Sequence, residues 1–438
     1  PTDCPQRNER LGWSGDISVF ARTASYLTNV PQFLRKHMLA MRDVQRADGR
    51  FSDVAPLGGG FGDALWGSAG ITVAWESYLQ YGDKTLLKEH YPAMKSYLEF
   101  LLNQIDPKSG VLDEKNRNNW SSLGDWLSPE YSKTEKTLLW DAYLIYDLEK
   151  LSKMALALNK KEDARLFGQL LLDRKAFFNH NYLDAKNAFT TFRGKKIDTQ
   201  TSYALPLAFQ IIDQDKRPLA DSLLNNAVQR KNAGDDGRQY PGYSLMTGFI
   251  GTAWISKALS QGGFRETAYR QLQDTLYPSW LYPVTQGATT IWERLNSYTQ
   301  DQGFGGNNNM NSFNHYSFGA IGAWLYENVL GIQRDEDSPS FKHFIIAPEP
   351  DPSGLMKFAK GDYESMYGRI AAGWETADSA YKYTIQIPAN TTASVMLIAD
   401  SPEQITATPS LMRYYKGANK GRLQFELPSG NYIIHVKK

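Results

Sequence analysis

The chain has 438 residues, with 48 lysines and arginines against 47 aspartates and glutamates. This balance argues against a nucleic-acid-binding protein and against a protein held to membranes by a basic patch. A single cysteine, Cys4, excludes an internal disulfide framework and a zinc site built from thiolates. No apolar run reaches the roughly 18–20 residues of a membrane span. The length exceeds what one hydrophobic core usually supports, so we expect two domains.

From about residue 16 to about 330 the sequence reads as one helix after another. Two apolar-periodic runs within 66–106 are separated by Gly82 and Asp83, a stop signal followed by an N-cap. The run 137–159 is apolar on nearly all faces, which is typical of a helix buried between neighbours. Further helices are expected at about 16–29, 31–47, 161–180, 199–213, 216–231, 245–260, 264–276 and 316–330.

The predicted helices come largely as pairs with short loops. Serial pairs are typical of a solenoid or of a closed toroid with six inner and six outer helices. No repeat of fixed period is visible, which argues against an open array of the tetratricopeptide type. About eleven helices are counted and a six-pair toroid needs twelve. We therefore expect the first barrel helix to precede Pro1, so that the chain is N-terminally truncated.

Four long connections rich in aromatic residues, glycine and asparagine separate the helices, at 50–65, 107–134, 232–244 and 277–314. Loops of this length inside a compact domain are usually functional or disordered, and the two at 107–134 and 277–314 hold too many Trp and Tyr for disordered linkers. Phe, Trp and Tyr make up 13% of the chain. Aromatic faces pack against the C–H faces of sugars, although core packing also explains many aromatic residues. The loops at 107–134 and 277–314 are therefore expected to form the walls of a binding cleft.

The pattern changes after residue 333. A polar linker, QRDEDSPS, is followed by segments that alternate with period two, with Pro, Gly and Asn turns between them. Short alternating strands over about a hundred residues predict an antiparallel β-sandwich. The chain is therefore expected to be mainly α, with a helical domain over 1–333 and a C-terminal β domain over 334–438.

The opening stretch, PTDCPQRNERLGWSGD, concentrates charge where glycines and a proline disfavour a helix. It holds Asp3, Glu9 and Asp16, and glycosidic hydrolysis needs two carboxyl groups. Neighbouring arginines, including Arg7, would keep some acids ionised, while Trp13 could desolvate another and raise its pKa. A solvated surface loop of paired charges is the alternative.

A second acid lies in GATTIWERLNSY, where Glu293 follows Trp292 within a long loop. His315 comes shortly afterwards, at the start of the last predicted barrel helix. A glutamate beside a tryptophan is also common on protein surfaces, so the residues alone leave both interpretations open.

The motif DCPQRNERLGWSGD strongly resembles the signature of bacterial α-L-rhamnosidases, which are built on an (α/α)6 barrel with flanking β domains. Further stretches resemble that family in the same order, namely ADGRFSDVAP, WGSAGITVAWESYLQYGD, GDWL, TQTSYALPLAF, TGFIGT, YPSWLYPVTQGATTIWER and NHYSFGAIGAWLY. The resemblance covers almost the whole helical region and continues into the C-terminal β domain.

The resemblance implies that Glu9 is the general acid and Glu293 the general base of an inverting hydrolysis. The residues that it places around the sugar are Asp3, Arg7, Trp13, Asp16, Trp66, Trp126 and His315. Inversion predicts that the two catalytic carboxyl groups lie about 6.5–9.5 Å apart, with room for a water between them. The chain departs from the family pattern at Asn8, Ser68 and Leu295, and these departures are expected to alter the subsite for the leaving group.

The resemblance further implies removal of terminal α-L-rhamnosyl residues from a glycoside or polysaccharide. Neither a cofactor nor a metal ion is expected, and the partner is the rhamnose-containing substrate rather than nucleic acid or membrane. Upstream β domains of the same parent chain are expected, and a periplasmic or secreted location is favoured over a cytoplasmic one. Two alternatives stay open, a non-catalytic carbohydrate-binding remnant and another glycosidase on the same barrel.

Overall fold

A computed structural model describes residues 10–60, 62–112, 123–305, 308–377, 379–419 and 421–437. These residues form two compact units. The first unit contains residues 10–22, 30–75 and 84–320. The second contains residues 23–29, 76–83 and 321–437.

Thirteen α-helices lie within the described residues. They are α1 (Ser14–Leu27), α2 (Pro31–Asp43), α3 (Ala69–Tyr81), α4 (Lys84–Asn103), α5 (Lys136–Ala157), α6 (Lys161–Asn181), α7 (Gln200–Ala208), α8 (Arg217–Gln229), α9 (Phe249–Thr252), α10 (Ile255–Gln261), α11 (Arg265–Gln273), α12 (Tyr282–Thr285) and α13 (Ile321–Trp324). No helix in this part of the chain combines the length and the hydropathy that crossing a bilayer requires.

Consecutive helices of the first unit pack as hairpins, as in α5 with α6, α7 with α8 and α10 with α11. Helix α5 also packs against α4 and α7. With neighbours on several sides it buries nearly its whole surface, from Thr137 to Ala155. This confirms the helix predicted from the apolar run 137–159.

The prediction of one helix over 245–260 is wrong in its first turn. Residues 245–248 are not helical, because the Leu245 N–H donates to the carbonyl of Pro278 at 2.8 Å. Helix α9 begins only at Phe249, where a buried carboxylate, that of Asp125, accepts the first free N–H groups. Two residues then separate α9 from α10.

The helix predicted over 199–213 also ends early, at Ala208. Gln210 adopts φ +55°, and the Ile211 N–H returns to the carbonyl of Pro206 at 2.9 Å. A left-handed residue of this kind terminates the helix.

The helix predicted over 316–330 is divided into three parts of different type. A 3-10 turn at Ser317–Ala320 is followed by α13 and then by a π-helical turn at Leu325–Val329.

The second unit contains a sheet of eight strands. They are β5 (Ile332–Arg334), β6 (His343–Ile346), β7 (Phe358–Ser365), β8 (Gly368–Ala377), β9 (Ala380–Ile398), β10 (Ile405–Thr408), β11 (Tyr415–Asn419) and β12 (Arg422–Lys437). The main order is β10-β12-β9-β6-β5, while β11 pairs with β12, and β8 pairs with β7 and β9. Every pair is antiparallel except β6 with β9, which is parallel. The first unit adds two small hairpins, β1 (Thr191–Phe192) with β2 (Lys195–Lys196) and β3 (Asn232–Ala233) with β4 (Gln239–Tyr240).

Strand β12 changes its buried face along its length. A bulge between Pro428 and Gly430 shifts the register against β9. An extra residue in one strand moves every later side chain to the other face. The buried positions accordingly change from odd to even numbers: Leu423, Phe425 and Leu427, then Tyr432, Ile434 and Val436. One strand can thus supply apolar side chains to the core of the unit on both sides of the bulge.

Candidate active site

Two loop stretches of the first unit bring Glu293 and His315 onto neighbouring strands of backbone. The Glu293 N–H donates to the carbonyl of Ser312 at 2.8 Å, and the His315 N–H donates to the carbonyl of Ile291 at 2.9 Å. The two bonds run in opposite directions, as in an antiparallel pair. Glu293 is 2% exposed and His315 is 3% exposed, so the alternative that Glu293 lies on the protein surface is wrong.

His315 is held against Asp16, which lies in the first turn of α1 and is also buried. The imidazole Nε2 lies 3.2 Å from the Asp16 Oδ1 atom. The Ser317 N–H donates to the imidazole Nδ1 at 3.4 Å, and the Ser317 hydroxyl donates to Asp16 Oδ1 at 2.7 Å. Because Nδ1 accepts, this hydrogen-bonding pattern assigns a proton to Nε2, where it points at the carboxylate.

The flat face of the His315 ring stacks on the ring of Phe249, with ring centroids 5.0 Å apart and planes at 27°. The Phe249 N–H donates to the carbonyl of Trp126 at 2.9 Å. Trp126 is half-buried, and its indole meets Tyr131 edge to face. The histidine and the predicted sugar-binding tryptophan are therefore connected through one phenylalanine.

The carboxylate of Asp125 fixes the backbone around Phe249, which lies between Trp126 and His315. Its Oδ1 atom accepts the N–H groups of Ile250 at 2.9 Å and Gly251 at 3.0 Å. Its Oδ2 atom accepts the Gly248 N–H at 2.8 Å and the Thr201 hydroxyl at 2.5 Å. Burial raises the pKa of Asp125, and these hydrogen bonds act in the opposite direction. The Asp125 carboxyl group accepts four hydrogen bonds and donates none among the described residues, which is typical of an ionised carboxylate.

The start of α1 is built around Trp66 and Trp13. Gly15, next to Asp16, lies under the Trp66 indole so closely that a Cβ atom there would be 2.5 Å from Trp66 Cε2. Only glycine permits this approach. Trp13 is half-buried and forms an isolated bridge with Val54.

Six of the predicted site residues can thus be placed. Contacts connect Asp16 to His315, backbone pairing connects His315 to the Glu293 stretch, and Phe249 connects it to Trp126. The remaining two, Trp13 and Trp66, lie beside the Asp16 turn. Asp3, Arg7 and Glu9 lie outside the described residues, so the separation of Glu9 from Glu293 stays a prediction. Among the described residues, no group of three or more His, Cys, Asp or Glu side chains is placed to hold a metal ion.

Several residues that build the site were not identified from the sequence. Asp125, Thr201 and Phe249 lie in GDWL, TQTSYALPLAF and TGFIGT, which resemble the family, but none of these three residues was given a role. The structure shows that these three stretches meet at the Asp125 carboxylate. An acid between glycine and tryptophan was the available signal. Ser317, which donates to Asp16 from 301 residues away, gave none.

The chain matches two family models. One is the bacterial alpha-L-rhamnosidase 6 hairpin glycosidase domain, over residues 1–329. The other is the bacterial alpha-L-rhamnosidase C-terminal domain, over residues 331–410. The six-hairpin match confirms the predicted fold class, an (α/α)6 barrel followed by a β domain.

Named relatives and solved structures agree with these models. An alpha-L-rhamnosidase from Streptomyces avermitilis is 35% identical over 440 residues, covering 100% of this chain and 39% of the relative. One from Alteromonas sp. (strain LOR) is 31% identical, covering 98% and 45%. The crystal structure of the S. avermitilis enzyme complexed with L-rhamnose superposes with a TM-score of 0.86 at 33% identity, covering 100% and 39%. The structure of the Dictyoglumus thermophilum α-L-rhamnosidase gives 0.85 at 30%, covering 100% and 47%.

The chain spans less than half the length of these relatives. Within that span the agreement extends over both units, at identities of 30–35% and with TM-scores of 0.85 and 0.86 for the two structures. The chain therefore belongs to the bacterial α-L-rhamnosidase family.

Proposed function

We propose that this chain carries the catalytic part of an inverting α-L-rhamnosidase, which hydrolyses terminal α-L-rhamnosyl residues of glycosides or polysaccharides. The observation that carries the proposal is the buried contact between Asp16 of α1 and His315, whose backbone pairs with the Glu293 stretch. Burying a carboxylate and an imidazole costs free energy unless the two groups are paired. Buried pairs of this kind are often found at functional sites. In a family named for cleaving rhamnosides, the natural use is to hold the hydroxyls of the sugar.

The aromatic residues supply the remaining recognition. Trp126 and Trp13, which are half-buried, offer flat faces for the C–H surfaces of the sugar ring, while Trp66 is 4% exposed and packs against Gly15 beside Asp16. L-Rhamnose carries a methyl group where a hexose carries a hydroxymethyl group, so an apolar wall favours it. Such a methyl pocket discriminates by only about 1–3 kcal/mol. Asp16 and His315 are therefore expected to contribute the larger share, because an analogue lacking the matching hydroxyl loses a hydrogen bond to a charged group.

In the proposed reaction Glu9 gives a proton to the leaving oxygen, and Glu293 takes a proton from the attacking water. Water attacks the face opposite the leaving group, so the configuration at the anomeric carbon is inverted. Positive charge develops on the ring in the transition state, and the fixed carboxylate of Asp16 stabilises it electrostatically. The imidazole of His315 keeps that carboxylate in one orientation.

The function is tested with a panel of 4-nitrophenyl glycosides and the purified chain. We expect nitrophenol release from the α-L-rhamnoside, and at most about one-hundredth of that rate from the α-D-mannoside or the β-D-glucoside. Release from another glycoside in preference to the rhamnoside would show a different glycosidase on the same barrel. Binding of L-rhamnose without release from any glycoside would show a carbohydrate-binding remnant.

A further inference from the structure

Arg294, the residue after Glu293, carries a charge that none of the described residues neutralises. Its side chain is half-buried, and its Nε atom is buried without a hydrogen-bond partner. Among the described residues, no carboxylate lies within ion-pair distance of its guanidinium and no group accepts a hydrogen bond from it. A partly desolvated cation without a partner is costly, so this arrangement among the described residues leaves Arg294 free to pair with an anionic ligand.

The guanidinium lines a cavity of about 240 Å³ within the first unit. Leu127, Leu295, Tyr277 and Phe318 give it apolar and aromatic walls, and Asn296 adds an amide. None of the residues that line it is acidic. An anion that enters the cavity therefore meets the guanidinium without a competing negative charge among the lining residues. The volume lies below the roughly 300–1,000 Å³ typical of drug-sized ligands, which fits one sugar ring better than a chain.

The cavity adjoins the candidate active site along the chain and through contacts. Leu127 follows Trp126, and Arg294 follows Glu293. Phe318 meets Phe249 edge to face, with ring centroids 5.2 Å apart, and Phe249 in turn stacks on His315. A sugar held here would lie next to the one held by the site residues.

We propose that this cavity binds the sugar that leaves, and that Arg294 binds a carboxylate on that sugar. The substrate class is then an α-L-rhamnosyl uronic acid. The planar guanidinium fork fits a carboxylate with two parallel hydrogen bonds, a geometry that a hydroxyl cannot reproduce. Asn296 can pair with a ring hydroxyl, and Tyr277 and Leu127 can cover the C–H face. This inference rests on the proposed rhamnosidase function.

The test compares three disaccharides that differ at one carbon: α-L-rhamnosyl-(1→4)-D-glucuronate, its methyl ester and α-L-rhamnosyl-(1→4)-D-glucose. With the unmodified chain, kcat/KM for the acid should exceed that for the ester and the glucose compound by about ten- to a hundredfold. In Arg294→Gln this ratio should fall to about one. Arg294→Lys should give an intermediate ratio, because it keeps the charge and loses the fork.

Arg238→Gln serves as the matched control, because Arg238 is 74% exposed and contacts Asp236 on the surface. It should keep the full preference for the acid. Thermal melting of each variant establishes that it is folded, and titration of D-glucuronate followed by calorimetry measures binding without turnover. Binding to the unmodified chain that is lost in Arg294→Gln supports the inference even when no substrate is cleaved.

The possible failures are distinguishable. Equal rates for all three disaccharides, or a preference that persists in Arg294→Gln, overturn the inference and leave the rhamnosidase proposal intact. A glucose 6-sulfate analogue preferred over the glucuronate overturns the assignment of a carboxylate. No rhamnose release from any disaccharide or aryl rhamnoside overturns the proposed function, and absence of glucuronate binding in the same sample overturns the inference as well.

Discussion

Replacing Glu293 by glutamine is expected to lower kcat for an aryl α-L-rhamnoside by about 10²–10⁴-fold. Glutamine has nearly the same shape, but it cannot accept a proton from the attacking water. The Glu293 backbone is fixed by its bond to Ser312, and the side chain is buried, so the substitution changes the chemistry with little change in packing. Steady-state kinetics and circular dichroism on the same preparation measure the two effects separately.

Glu266→Gln is the control for this change. Glu266 is exposed on α11, where it pairs with Arg270 one turn later. An exposed pair of this kind contributes little to stability, so both kcat and the circular dichroism spectrum should stay as they are. If Glu293→Gln kept kcat within tenfold of the unmodified chain, the general base would have to be another residue.

Asp125→Asn is expected to lower the free energy of unfolding by about 2–4 kcal/mol. The asparagine amide would direct its own N–H groups at backbone donors that now share an ionised acceptor. Because Asp125 is fully buried, water cannot replace the lost bonds. The start of α9 should loosen, and with it the contact that Phe249 makes between Trp126 and His315.

The same variant should therefore lose activity as well as stability. We expect KM for the aryl rhamnoside to rise by about tenfold or more, because Trp126 and His315 no longer have fixed positions. Urea unfolding followed by tryptophan fluorescence gives the free energy, and initial rates below the unfolding range give KM. Thr201→Val, which removes one of the four donors, should cost about 1 kcal/mol.

Asp184→Asn is the control that shows how much of the expected loss in free energy of unfolding comes from the burial of Asp125. Asp184 also accepts two backbone N–H groups, those of Lys186 at 3.1 Å and Asn187 at 2.6 Å, but in a turn near the surface. Its replacement should change the free energy of unfolding by about 0.5 kcal/mol or less, because water can take over the bonds. Equal losses for Asp125→Asn and Asp184→Asn would mean that Asp125 is not the anchor of α9.

The sequence was most informative about the regular helices and strands. The periodic run 137–159 predicted α5, because a helix with neighbours on several sides must be apolar on several sides. Alternation at period two likewise indicated the strands of the second unit. It could not indicate the parallel pairing of β6 with β9, because alternation fixes which face is buried and not which strand lies alongside.

The predicted helix boundaries were wrong where a side chain distant in the sequence determines the boundary. The start of α9 depends on Asp125, more than 120 residues earlier in the chain. Local periodicity contains no trace of that contact. The residues 245–248 are apolar enough to continue the helix, yet the N–H of Leu245 bonds elsewhere.

Several residues of the candidate site could be predicted from the sequence, but the contacts between them could not. Asp16, Glu293 and His315 were named from a motif and a family resemblance. That Asp16 contacts His315, and that Ser317 supports both, depends on tertiary packing across about 300 residues. Arg294 was visible in the sequence only as the neighbour of Glu293. Its significance depends on the carboxylates absent from its surroundings among the described residues, which no motif records.

The most direct measurement is the configuration of the first product, followed by proton NMR during hydrolysis of an aryl α-L-rhamnoside. A single displacement by water activated at Glu293 must release β-L-rhamnose, which then equilibrates slowly with the α anomer. The β-anomer signal should therefore appear before the α signal. Appearance of the α anomer first would show a covalent double displacement, and would contradict the role assigned to Glu293.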